Sequence, residues 1–165
     1  MTESLQQEYR IISNHDFAEV RQKESNKQKA LFSCRAFAVN DVVADFSAGT
    51  ISSTPTYLTV QVGTDKHITL MPEFLQYINH SCNPNVFFDT TAMKLVALRE
   101  ISANEEFAFF YPSAEWNMDQ SFNCYCGNEN CVGEIKGAQY LSAEAISNYR
   151  FTDYINEQLR SNNLK

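Results

Sequence analysis

A single, mainly β domain with a helical C-terminal tail is the fold class this sequence predicts. Before residue 138 the β-branched and aromatic residues fall in short runs separated by turn residues. Glycine is scarce until Cys126, where Gly127, Gly133 and Gly137 mark irregular backbone. Beyond that point two helical pieces follow, with Ser142 and Thr152 suited to be their N-caps. The length of 165 residues fits one domain and suffices for a core without cross-links.

The elements follow in order. Tyr9–Ile12 reads as a short strand, followed by a turn of helix before Val20. The stretch 21–29, with four basic residues and one Glu, reads as a loop. Residues 30–37 and 42–46 are strand-like, bounded by Asn40-Asp41, and the run 52–55 breaks the chain at Pro55. Residues 57–62 alternate with period two and stop at Gly63-Thr64-Asp65, so 67–70 returns as a hairpin arm. Pro72 opens a short helix to Ile78. Residues 86–88 and 94–98 flank another turn, and 106–111 is a strand ending at Pro112.

Composition bounds the function. Hydrophobic residues make up 44% and charged residues 20%, a globular balance. No apolar run is long enough to span a membrane, and Met1–Ser4 does not begin a secretory signal. The expected setting is therefore intracellular, cytoplasmic or nuclear, where thiols stay reduced. A net charge of −7 argues against direct binding of nucleic acid. Seven acids and no Lys or Arg lie between Glu100 and Glu134. Such a stretch either attracts a basic partner or forms a solvated acidic surface.

Three segments carry chemistry. Cys124, Cys126 and Cys131 lie within eight residues, the spacing of metal ligands. Zinc prefers four ligands, and Cys34, Cys82 and the three histidines are all candidates for the fourth. The seven residues Asn79-His80-Ser81-Cys82-Asn83-Pro84-Asn85 can hold a bent backbone whose polar groups face a ligand. The third segment, Glu105–Pro112, read alone is a buried strand whose tyrosine belongs to the core.

Together and in this order, the three resemble the SET-domain lysine methyltransferases. Residues 79–85 match that family's N-H-S-C-x-P-N motif. Residues 105–111 match its E-E-x-x-x-x-Y strand, with Phe110 at a usual Asp. Residues 124–131 match the post-SET C-x-C-x4-C motif. The resemblance runs from about Lys27 to Gly137. It implies an N-terminal flank (1–26), a SET domain (27–113), a post-SET segment (120–137) and a helical tail (138–165). It also implies small sheets with a C-terminal strand threaded under a preceding loop. By resemblance Cys82 is the fourth zinc ligand beside Cys124, Cys126 and Cys131, leaving Cys34 as a core residue. The cofactor implied is S-adenosylmethionine, held by Lys29, Ala30, Leu31, Asn79, His80, Tyr111 and Phe122. The family's G-x-G is replaced here by Gln28-Lys29-Ala30, so Lys29 is free to pair with the cofactor carboxylate.

The resemblance implies methyl transfer to lysine in a basic protein or peptide, histone or other, by a monomer. Tyr111 would be catalytic, and Phe109 and Phe110 would wall the lysine channel. Phe109, in place of a tyrosine, implies di- or trimethylation. No general base is evident, so the lysine proton is expected to leave through water. The alternative is a non-catalytic SET-like protein-binding module that keeps the zinc site.

Overall fold

The computed structural model describes residues 8–164. Its sheets are small, and each is built where a turn lets a short apolar run fold back. The first combines β1 (Tyr9–Asn14), β2 (Ala18–Lys23) and β3 (Lys29–Ser33) in the order β1-β2-β3. The helical turn expected before Val20 is absent; β2 occupies that ground, alternating buried Ala18 and Val20 with half-buried partners. The loop expected over 21–29 narrows accordingly to five residues, and Lys27 sits in its turn at φ 61°.

Next come β4 (Val42–Asp45), β5 (Ser47–Ser52), β6 (Val60–Gly63) and β7 (Lys66–Met71). β6 and β7 form the expected hairpin, and β5 pairs with the other edge of β7. No signal announced β5. It is mostly exposed and polar, and side-chain bonding such as Thr50 N–H to Thr69 Oγ1 at 2.7 Å replaces apolar alternation. A 3-10 turn over Glu73–Tyr77 takes the place of the expected helix. It leads to β8 (Asn79–His80), then β9 (Val86–Asp89) and β10 (Lys94–Ala97), and β10 lies between β4 and β9.

The expected strand over 106–111 pairs as a strand only at β11 (Ala108–Phe109), which runs parallel to β8. Neighbouring segments enclose it. Phe107 N–H donates to the Leu31 carbonyl (2.8 Å) on one side, and Ala108 N–H to Asn85 Oδ1 (2.8 Å) on the other. A 3-10 turn at Tyr111–Ser113 ends the segment, because Pro112 cannot donate to a ladder.

β12 (Phe122–Asn123) and β13 (Glu134–Ile135) bracket the cysteine segment. Two helices close the chain, α1 (Ala143–Ser147) and α2 (Asp153–Ser161). Both predicted caps form: Ser142 Oγ accepts from Ala145 N–H and Thr152 Oγ1 from Ile155 N–H. No helix among the described residues is long and apolar enough to cross a membrane.

The apolar residues gather in two clusters. The larger joins the sheets through Leu31, Phe88, Leu95, Phe107 and Phe109. The smaller joins Cys82, Phe110, Ile135, Phe151, Ile155 and Leu159, so the tail helices pack against the cysteine segment. Cys34 belongs to neither. It is exposed, correcting the expected core role, because β3 ends at Ser33 and the chain turns outward.

Gly137 joins the cysteine segment to the tail at φ 127°, and a Cβ there would stand 2.4 Å from the Trp116 carbonyl oxygen. Gly127, at φ 74°, has open space around it. Gly127→Ala is therefore expected to cost only the left-handed backbone strain, about 1–2 kcal/mol. Gly137→Ala must displace backbone and is expected to lower the melting temperature far more, or to prevent folding. Thermal unfolding of the two variants checks this order.

Candidate active site

The parallel β8–β11 pair sets two motif segments side by side, with Asn79 opposite Ala108 and His80 opposite Phe109. Ser81 N–H extends the pairing to the Phe109 carbonyl at 3.1 Å. Asn85 is 1% exposed and clamps the other strand, donating through Nδ2 to the Glu106 carbonyl (2.8 Å) and to Glu105 Oε1 (3.2 Å). The bent backbone expected of residues 79–85 is thus a bracket around residues 105–109.

His80 occupies the crossing. Its Nδ1 accepts from Tyr111 N–H at 3.1 Å. Burial pushes its pKa down to about 4, so the ring is neutral and its proton sits on Nε2. That nitrogen faces Cys82 Sγ at 3.5 Å. One imidazole therefore joins the backbone of Tyr111 to a cysteine of the metal motif.

The four expected ligands converge. The Sγ atoms of Cys82, Cys124, Cys126 and Cys131 lie within 4.8 Å of one another, with Cys82 and Cys124 3.9 Å apart. Tetrahedral thiolate coordination at about 2.3 Å calls for sulfurs about 3.8 Å apart, so the donor set fits one metal ion. Val132 N–H points at Cys82 Sγ (3.5 Å), and the Tyr149 hydroxyl donates to the Cys82 carbonyl (2.8 Å). Burial pushes the Cys82 thiol well above its ordinary range, and a metal bound there would displace its proton.

A cavity of about 220 Å³ opens beside this assembly. Phe109 and Tyr111 line it with Thr59, Val60, Ile78 and Phe122. The Tyr111 hydroxyl faces the Ile78 carbonyl at 3.5 Å. Burial and the nearby Glu106 carboxylate push its pKa up to about 12, so it stays a hydroxyl at neutral pH. Phe109 packs on Tyr111 with ring centroids 4.6 Å apart. Phe110 was expected in the same wall, but strand alternation turns it the other way. It stacks on Tyr149 at 3.7 Å inside the smaller cluster.

Of the other expected cofactor residues, Lys29, Ala30, Leu31, Asn79 and His80 lie off this cavity, and Phe122 borders both it and His80. Phe122 is 37% exposed and meets His80 and Tyr111 edge-on, at 5.5 and 5.9 Å. Asn79 Nδ2 donates to the Lys29 carbonyl (3.0 Å), which ties β3 to the site. Ala30 and Leu31 are buried, and Leu31 belongs to the larger cluster. The Lys29 ammonium lies 5.2 Å from the Tyr77 ring centroid. An exposed ring, a polar rim and one cation are a donor set that fits a nucleoside carrying a carboxylate.

The acidic stretch divides. Glu105 pairs with Arg99 (2.6 Å), and Glu134 pairs with Lys136 (3.2 Å). Glu106 is half-buried against Asn79, and Asp119 is exposed at the cavity. Glu115, read from sequence as part of an acidic surface, is 6% exposed and lines the cavity. Nothing in its local sequence distinguishes it; only the fold reveals it.

The SET domain family profile matches residues 2–112, and the chain belongs to that family. A methyltransferase of Aspergillus flavus, flvH, is 42% identical over 106 residues, covering 63% of this chain and 59% of that protein. The H3 lysine-36 specific histone-lysine N-methyltransferase of Candida albicans is 43% identical over 77 residues, 43% of this chain and 9% of that protein. Its Kluyveromyces lactis counterpart is 29% identical over 103 residues, 59% and 14% of the two chains. This chain thus spans less than two thirds of the length of each of these relatives.

Metal analysis is expected to find about one ion per chain. Cys82→Ser should lose it and destabilise the C-terminal half, since structural metal binding is folding energy. Cys34→Ser should retain it. Full loading of Cys82→Ser would exclude this ligand set.

Proposed function

We propose that this protein transfers a methyl group from S-adenosylmethionine to a lysine side-chain amine of a basic protein, a histone or another. The observation that carries the reading is the placement of Tyr111. Its ring meets His80 and Phe122, the residues suited to a nucleoside, and also lines the cavity walled by Phe109. A non-catalytic binding module would have no use for a tyrosine hydroxyl held at such a junction.

The cofactor supplies an electrophilic methyl group on a positively charged sulfur. The chain's own part is alignment, which can contribute several kcal/mol. Asn79 and His80 bind on one side, with Lys29 available to the cofactor carboxylate and Phe122 at the border with the cavity. Phe109, Ile78 and Val60 exclude water and favour the neutral amine on the other. Tyr111 stays protonated and orients the amine through its oxygen.

The cysteine cluster is proposed to hold one structural zinc ion, which four thiolates select. It would pin the post-SET segment, and with it Phe122, against Tyr111. Two of the three relatives are named histone-lysine N-methyltransferases, which favours a nuclear or cytoplasmic protein substrate.

Radiolabelled methyl transfer to histone H3 and to cell lysate tests the reading. Tyr111→Phe should fold and keep its metal while losing activity by orders of magnitude. Activity within about threefold of the parent would remove Tyr111 from the mechanism.

Phe109 bears on product state. It has no hydroxyl to anchor a water beside the amine, and a buried water needs two to four polar partners. The space is then open to a methyl group, and the products expected are di- and trimethyl-lysine. Phe109→Tyr should shift them toward monomethyl-lysine by mass spectrometry. A wild-type enzyme that stops at one methyl group under enzyme excess would contradict the assignment.

A further inference from the structure

Glu115 is the one carboxylate among the described residues whose two oxygens are both buried and without a hydrogen-bond partner. It is not a loose surface group. Its carbonyl accepts from Ala138 N–H at 2.8 Å. On either side, the Ala114 carbonyl accepts from Gln61 N–H (2.9 Å) and Trp116 N–H donates to Gln61 Oε1 (3.0 Å). β6 and the start of the tail therefore hold Glu115 from both sides. An orphaned buried carboxyl is a cost to folding. Here it lines the cavity that holds Phe109 and Tyr111.

We propose that Glu115 is the counter-ion and proton acceptor for the substrate ammonium in this cavity, resting on the methyl-transfer reading above. The other titratable side chains lining the cavity are Tyr57, Tyr111 and Asp119, and none bonds to Glu115. Burial alone pushes its pKa up to about 9. That brings its proton affinity close to that of a lysine amine, whose reference pKa is about 10.4. Two groups so matched share a proton readily, whereas an ordinary carboxylate would leave the amine charged and unreactive.

The proton balance closes. At neutral pH Glu115 is protonated and the arriving lysine is an ammonium. One proton leaves to solvent as the pair forms, and the carboxyl and amine share the other. When it sits on Glu115, the nitrogen lone pair is free. The nitrogen–carbon bond forms as the methyl–sulfur bond breaks, and sulfur keeps that electron pair. Glu115 ends protonated, as it began, and one proton is released per methyl group.

Two measurements test this. The first is a carboxyl ¹³C NMR titration of glutamate-labelled protein, with Glu115 assigned by its disappearance in Glu115→Gln or Glu115→Asp. In free protein its midpoint should lie near 9. Saturating n-butylamine, the lysine side chain as a free molecule, should lower it by about one unit or more, because an ammonium favours the carboxylate. A midpoint in the ordinary carboxylate range, or one unmoved by n-butylamine, overturns the proposal. The second is the pH profile of methyl transfer. Glu115→Gln should melt at or above the wild-type temperature yet lose about 10²-fold in kcat. Its activity should rise only at higher pH, toward the amine's own ionisation. Wild-type rate and profile in Glu115→Gln overturn the proposal. A wild-type protein that transfers no methyl group refutes the methyl-transfer reading instead, and the n-butylamine titration still decides whether Glu115 binds an ammonium.

Discussion

Everything in the site depends on two residues of parallel pairing. β8 and β11 come from segments nearly thirty positions apart, and only Asn79–Ala108 and His80–Phe109 are in register. So short a ladder is too weak to hold itself. Asn85 reinforces it from one side by bonding both the backbone and a side chain of the strand it encloses. β3 reinforces it from the other, through Leu31 and the Phe32–Glu106 pair. Loss of either support would free Tyr111, which lies two residues beyond the pairing.

The two apolar clusters meet along this line. Successive side chains of the 109–111 segment alternate between them. Phe109 faces the sheets, Phe110 faces the tail helices, and Tyr111 contacts both clusters. The cysteine segment is attached to the second cluster, with Tyr149 bonded to the Cys82 carbonyl and stacked on Phe110. His80 completes the link from the thiol of Cys82 to the amide of Tyr111. A metal ion at the four thiolates would thereby stiffen the tail, the post-SET segment and the position of Tyr111 together. Such outer hydrogen bonds commonly fix ligands at metal sites.

What the sequence disclosed, and what it concealed, follows from the range of each interaction. The caps at Ser142 and Thr152, the β6–β7 hairpin and the cysteine spacing are local, and each is legible within a few residues. The convergence of Cys82 with the later cysteines came from family resemblance, since spacing alone left Cys34 and the histidines equally open. β5 escaped notice because a polar edge strand has no apolar alternation. Phe110 was misplaced because three consecutive aromatic residues look alike until strand alternation assigns them faces. Glu115 was hidden for the opposite reason: it sits among surface acids in the sequence, and only the clamps from Gln61 and Ala138 carry it inside.

The central claim is that the cysteine cluster, through His80, holds Tyr111 at the junction of the two sides of the site. Hydrogen exchange at the Tyr111 amide tests it most directly, because that N–H is the one bonded to His80 Nδ1. Metal-loaded protein should protect this amide strongly. Chelation at neutral pH should abolish most of that protection while leaving amides of the first sheet, such as Val20, protected. Equal protection of the Tyr111 amide with and without metal would contradict the account.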